Sequence, residues 1–266
     1  MTNLFSRSLV LLLPVFLLCT ACDASSGKQE SLPSHPVDSS SASSMEEAAE
    51  GPAPSLATSS SEASPAPSPS SYPVTDRDLT SPDSLTLLVN KQHPLNPLDY
   101  APSDLVSWRG VELRQPAAQA AEQLVQAAAS QGIELQVLSG YRSYQTQVST
   151  YSYWQQTYGQ EQADVASARP GYSEHQTGLA LDLGDGSGCN LQPCFAQTPA
   201  GRWLAEQAAD YGFVIRYPWW QHETTGYWYE SWHLRYIGPD EAAAYRQSGA
   251  ESLEDFWGAG PAPHYN

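Results

Sequence analysis

The sequence predicts an α+β fold, a single domain whose central, mainly antiparallel sheet is flanked by helices. Three observations lead there. Segments of helical and strand character alternate irregularly, without the regular strand–helix rhythm of a parallel wound sheet. Several apolar runs read as short strands placed to be antiparallel neighbours. No internal repeat is visible, and residues 83–266 form a normal single-domain length with room for a real core.

Taken in order, "SLTLLVNKQHPL" (84–95) begins as a β-rich apolar run and stops at Pro94. "PAAQAAEQLVQAAASQG" (116–132) predicts a helix: Pro116 suits the first turn, alanine dominates, and Gly132 caps the end. "IELQVLSG" follows as a strand, with Ile133, Leu135 and Val137 alternating toward a core. "SYQTQVSTYSYWQQTYG" (143–159) reads as a helix between Ser143 as N-cap and Gly159. In "GLALDLG", Leu179, Leu181 and Leu183 alternate with Ala180 and Asp182. On a strand the leucines enter the core and Asp182 points the other way. "TPAGRWLAEQAADYG" is a signposted helix, with Thr198 as N-cap, Pro199 at the first position and Gly212 at the end. "FVIRYP" and "YWYESWHLRYIG" are β-like and aromatic, and "PDEAAAYRQSG" is a closing helix.

Residues 1–22 carry Arg7 in a short basic region and then an apolar core of about a dozen residues, too short for a comfortable membrane span. They read as a secretory signal. Small residues precede Cys22 at its end, which resembles a bacterial lipoprotein signal and implies lipidation of Cys22. Cys19 departs from that pattern, where leucine is usual, and ordinary secretion is the alternative. Residues 23–82, rich in Ser, Pro, Ala and Glu, hold nine acids and two bases. They have too little apolar surface to offset their ordering entropy, so a disordered tether is expected. The reading is of an exported protein of the cell envelope, anchored through a lipid and facing the periplasm or wall, or else soluble and secreted.

The remaining domain sets nine bases against twenty acids, which speaks against nucleic acid or an anionic membrane surface as partner. Its abundant Trp and Tyr fit a cleft with aromatic walls, although aromatics also build cores. Cys189 and Cys194, in "CNLQPC", are an even, close pair on an exported chain and argue for a disulfide. The rival is a metal-binding pair, for which a second Cys/His pair at finger spacing is missing.

Six histidines are present. His35 lies in the tether, His264 in the tail, His93 before Pro94 and His222 in a polar loop. His175, in "GYSEHQTGLALDLGDG", and His233, in "ESWH", stand in the densest glycine and aromatic contexts. With Asp182 they make a His, Asp, His set that would leave one position open on a catalytic zinc. Taken alone, His175 fits a structural histidine better and Asp182 a capping or salt-bridging acid. Glu230, three residues before His233, strengthens the set, because an activated water needs a carboxylate to take its proton. Residues three apart on a regular strand face opposite sides, so Glu230 and His233 converge only across a bend or bulge.

"SGYRSYQTQ", "SEHQTGLALDL" and "ESWHLRYIG", in this order and spacing, resemble the zinc D-alanyl-D-alanine carboxypeptidases of the VanY type, a group shared with D-Ala-D-Ala dipeptidases. The resemblance covers most of residues 84–248. It implies zinc on His175, Asp182 and His233, Glu230 as general base, and Arg142 meeting the substrate near its scissile carbonyl and terminal carboxylate. Gln147 and Ser173 match positions that line the substrate cleft. Read from the residues alone, Arg142 follows a strand end at a Gly-Tyr turn and fits a surface salt bridge equally well. Arg235 reads as structural, and Trp232 and Tyr236 as packing residues. The implied reaction is removal of the terminal D-alanine from peptidoglycan stem peptides by a monomeric enzyme. L,D-cleavage, endopeptidase action and a non-catalytic wall-binding module are the alternatives; an intact Glu230 speaks against the last.

Overall fold

The computed structural model describes residues 77–266; the signal, Cys22 and the tether up to residue 76 lie outside the described residues. The folded part starts earlier than residue 83. Arg77 pairs with Glu241, and the Leu88 N–H donates to the Leu79 carbonyl at 3.0 Å. Leu79 packs against the cluster around Leu88 and Trp257. An ion pair at Arg77 and a half-buried Leu79 therefore tie residues 77–79 to the domain, within the stretch that the sequence reading gave to the tether.

The apolar run at 84–95 is buried but irregular. Leu87, Leu88, Val89 and Leu95 are all core residues, yet no strand forms. Its backbone groups find partners elsewhere: the Leu87 N–H bonds Ser84, Asn90 and His93 close a turn, and the Leu85 and Leu87 carbonyls accept from Arg235. Apolar character fixed the burial here, and side-chain donors displaced the ladder that a strand would need.

A hairpin follows, β1 (Leu105–Trp108) and β2 (Val111–Arg114), which sequence reading did not single out. It leads straight into α1 (Gln115–Ser130), whose alanine-rich buried face packs on the sheet. Strand β3 (Gln136–Ser139) comes next, then α2 (Tyr144–Tyr158), capped by the Ser143 side chain, which accepts from the Thr146 N–H. After α3 (Gln160–Ala166) and a 3-10 turn (Glu174–Thr177) runs β4 (Ala180–Gly184). Thr198 caps α4 (Pro199–Gln207), which tightens to a 3-10 turn (Ala208–Tyr211) before Gly212. Then come β5 (Phe213–Tyr217), the short α5 (His222–Thr225), β6 (Glu230–Tyr236), α6 (Pro239–Ser248) and α7 (Leu253–Trp257). The main sheet is antiparallel throughout, in the order β3-β4-β6-β5. The α+β expectation holds. Cys189 and Cys194 are bonded, their Cα atoms 5.4 Å apart, closing the loop after β4.

One face of the sheet carries Leu181, Leu183 and Leu234 into the core beneath α1, joined by Leu179 just before β4. The alternation along β4 and β6 sends Asp182, His233 and Arg235 to the other face. That face is not left to water. Arg216 donates to Glu254 through two nitrogens, at 2.7 and 2.9 Å, and to Glu174 at 2.7 Å. Arg235 reaches the same Glu174 oxygen at 2.8 Å, and all four side chains are fully buried. Arg235 is structural, as the sequence reading held.

Breaking a buried pair leaves a charge without compensation, at a cost of about 3 kcal/mol or more, whereas an exposed pair contributes at most about 1 kcal/mol. Glu254→Gln should therefore lower stability in urea unfolding by about 3 kcal/mol. Asp210→Asn, which breaks the half-exposed pair with Arg246, should cost under about 1 kcal/mol. Equal losses in the two variants would show that the buried cluster does not hold the fold.

Candidate active site

Three short stretches of backbone deliver the site. Asp182 and His233 are direct cross-strand partners on β4 and β6, so their side chains leave the sheet side by side. His175 comes from the 3-10 turn just ahead of β4, which ends at Gly178 in the left-handed region with φ 67°. Asp182 Oδ2 lies 3.2 Å from His175 Nε2, and Asp182 Oδ1 3.3 Å from His233 Nδ1. The three ligand atoms fall within 4.8 Å of one another, and all three residues are buried.

The outer nitrogens are also held. His175 Nδ1 lies 2.7 Å from the Gly140 carbonyl and donates its proton there, leaving Nε2 free to ligate. Gly140 is itself set by its packing on β2, where a Cβ would stand 2.7 Å from the Glu112 carbonyl and 2.9 Å from Val111. On the other ring, His233 Nε2 faces Glu174 Oε2 at 3.4 Å, leaving Nδ1 for the site. Glu174 is itself fixed by Arg216 and Arg235, so the buried cluster orients a ligand. The Tyr217 ring packs 4.9 Å from the His233 ring.

Sequence reading missed Glu174, Arg216 and Tyr217. A signal for the first two was present: an acid immediately before His175, and an arginine inside the apolar strand "FVIRYP", whose burial demands a partner.

The convergence of Glu230 with His233 has the required cause. Ile215 pairs with Leu234 but Tyr217 pairs with Glu230, so β6 bulges by two residues relative to β5. The bulge brings Glu230 Oε2 to 3.6 Å from His233 Nδ1, and Glu230 keeps 21% of its side chain open to solvent. A second bulge, between Val137 and Ser139 on β3, re-aims the chain toward Arg142. The Arg142 guanidinium donates to Gln147 Oε1 at 3.0 Å and is backed by Ser139 Oγ at 3.5 Å. Arg142 is not a surface salt bridge.

Gln147 corrects an expectation. It is fully buried, and its amide nitrogen donates to the Ala168 carbonyl at 2.6 Å and to Ser167 at 3.2 Å. Its place is behind Arg142, steadying the guanidinium, rather than on the cleft wall. Ser173 is buried at the N-cap position of the His175 turn. His93 and His222 stand outside the ligand set, as expected.

The donor set fits a divalent cation. Asp182 Oδ1 is buried with no hydrogen-bond partner. Burial alone would lower the His233 ring, yet Asp182 and Glu174, with Glu230 nearby, push it up to about 10. Burial likewise would raise the Asp182 carboxyl, but the two histidines hold it well below the usual carboxylate range. Such a concentration of carboxylates around two imidazoles calls for positive charge between them. Two nitrogens and one carboxylate oxygen are a zinc-type set. Burial pushes Glu230 up to about 7; His233 and Arg142 oppose the rise and Asp182 and Glu174 add to it. Burial lowers the Arg142 guanidinium, with Asp182 and Glu230 resisting.

Comparison with known proteins places this geometry. The family model described as "VanY: D-alanyl-D-alanine carboxypeptidase" matches residues 110–239. The protein named "Putative carboxypeptidase YodJ" of Bacillus subtilis (strain 168) is 40% identical over 190 residues, covering 67% of this chain and 69% of that protein. The solved structure of the LdcB LD-carboxypeptidase is 38% identical with a TM-score of 0.62, covering 66% of this chain and 87% of that one. A variant of the D,D-pentapeptidase VanY from a VanB-type resistance cassette, solved in complex with Zn(II), is 30% identical with a TM-score of 0.57, covering 66% of this chain and 99% of that one. By fold and sequence, the chain belongs to the VanY family of D-alanyl-D-alanine carboxypeptidases.

Proposed function

We propose that the chain removes the C-terminal D-alanine from peptidoglycan stem peptides, with zinc held by His175, Asp182 and His233. The observation that carries this reading is the convergence of Glu230 and Arg142 on the His175, Asp182, His233 set. Zinc in that set would supply Lewis acidity, lowering the pKa of water and polarising the scissile carbonyl. Glu230 takes the proton of the attacking water and hands it to the departing D-alanine amine, a role its raised pKa and partial solvent access suit. Arg142 grips the terminal carboxylate with parallel hydrogen bonds and stabilises charge developing on the carbonyl oxygen. Gln147 fixes the guanidinium for both tasks.

A second reading, L,D-cleavage of a tetrapeptide, draws on the likeness to LdcB, and defined tetra- and pentapeptides with mass detection separate the two. As to location, we propose an exported, lipid-anchored protein of the envelope, in keeping with the signal ending at Cys22 and with a disulfide suited to an oxidising compartment.

Chelation should abolish hydrolysis and zinc should restore it, with one metal per chain by elemental analysis; activity persisting in metal-free protein would refute the zinc reading. Glu230→Gln should keep its zinc and fold while losing kcat by on the order of 10²-fold or more. A near-normal rate would place proton transfer elsewhere. Amidating the substrate's C-terminus should lower kcat/KM for the wild type by roughly tenfold to a hundredfold. Arg142→Ala should lose activity on the free acid and show far weaker discrimination against the amide, with zinc content unchanged. Equal discrimination by both proteins would mean that Arg142 does not read the carboxylate.

A further inference from the structure

We propose that the loop between β5 and β6, residues 218–229, is a sugar-stacking platform that grips the neutral amino-sugar chain of peptidoglycan while the stem peptide enters the site. This inference rests on the peptidoglycan reading above and adds a second binding surface to it.

Exposed large apolar side chains gather on this loop: Trp219 is 50% exposed, Trp220 81% and Trp228 59%. Single exposed apolar residues are ordinary, but three exposed indoles on one short loop call for an occupant. Two of them are held in place by a second ring. Trp219 stacks on Tyr229 with centroids 4.2 Å apart and planes at 22°, and Trp228 stacks on His222 at 4.7 Å and 22°. Trp220 follows with its ring 6.1 Å from that of Trp219 and a backbone φ of 63°, a left-handed conformation that is costly for a bulky side chain. Rigid, half-exposed aromatic rings bind with little loss of conformational freedom.

The platform is continuous with the site. Both feet of the loop stand at the Tyr217 and Glu230 pair, with Tyr217 against His233 and Tyr229 immediately before Glu230. The segment that carries the indoles therefore leaves from and returns to residues that flank the site. Charge selects among occupants. Residues 218–229 contain no Lys or Arg and a single acid, Glu223, and in the cavity that Trp228 lines Lys91 and Arg169 are offset by Asp164 and Glu161, so the surface does not suit a phosphate-rich polymer or an anionic leaflet. A pyranose offers a flat face of polarised C–H groups, complementary to the electron-rich face of an indole, while its hydroxyls stay in water.

The test compares the zinc-loaded wild type with a Trp220→Ala/Trp228→Ala double variant on two substrates: a free stem peptide and the same peptide carried on its disaccharide. Wild type should favour the disaccharide form in kcat/KM by about tenfold or more, equivalent to about 1.4 kcal/mol. The variant should lose that preference and keep its rate on the free peptide. Calorimetry with soluble glycan strands stripped of peptide should show binding by wild type and none by the variant. Equal kcat/KM of wild type on both substrates, or equal losses by the variant on both, overturns the platform. Tryptophan-dependent binding to phosphatidylcholine vesicles without glycan binding overturns it in favour of a membrane contact. If neither peptide is cleaved, the functional reading fails, and the calorimetry alone decides the platform.

Discussion

The site depends on the charge of Glu174. This carboxylate is buried between two arginines and one ligand histidine, Arg216 from β5 and His233 and Arg235 from β6. Burial would raise its pKa, but Arg216 and Arg235 hold it well below the usual carboxylate range, so it stays ionised. Arg235 carries the tie onward to the Leu85 and Leu87 carbonyls, and Arg216 to Glu254 on α7, where Asn90 also donates at 3.0 Å. One acid thus links the irregular N-terminal segment, β5, β6, the His175 turn and the C-terminal helix. Hydrophobic burial could hold these pieces together, but it is non-directional and would not aim an imidazole.

The sheet explains why the chemistry appears where it does. Antiparallel pairing gives two faces, and the leucines of β4 and β6 pack one of them against α1 and α4. The opposite face is free to carry polar groups, provided something covers and pairs them. Two bulges then break the regular alternation at the points where chemistry needs it broken. Without the bulge on β6, Glu230 and His233 would face opposite sides. Without the one on β3, the turn that bears Arg142 would leave the sheet in another direction.

Much of this was legible in the sequence because it follows local rules. The leucine alternation around Asp182, the caps Ser143 and Thr198, and the glycine stops at 159 and 212 are short-range signals, and the structure keeps each of them. That His175, Asp182, His233 and Glu230 come together was legible through the resemblance of three motifs to the VanY type, and the need for a bulge followed from the spacing of Glu230 and His233. What could not be read is what long-range partners decide. The 84–95 run has strand composition, but its carbonyls are claimed by Arg235, about 150 residues away in the chain. Gln147 looked like a cleft residue because its motif lies beside Arg142; only the packing of α2 against residues 167–168 shows that it is buried. The β1–β2 hairpin passed unnoticed because four-residue strands give too short a pattern to stand out.

Charge balance in the site explains why a terminal carboxylate would belong there. Glu174 and Glu254 are matched by Arg216 and Arg235, so the supporting layer is close to neutral. With both imidazoles neutral, as metal ligation requires, the reacting layer sets Asp182 and Glu230 against Arg142, an excess of negative charge in a largely buried place. A divalent cation held by His175, Asp182 and His233 would reverse that excess and leave one net positive charge. Buried charge without a partner is costly, so the cleft with its metal favours a ligand that brings one negative charge. A free C-terminus supplies it and an internal peptide segment does not. On this electrostatic ground exopeptidase action suits the site better than cleavage within a cross-bridge, and the same positive charge that recruits the carboxylate stands ready for the oxyanion as the bond is attacked.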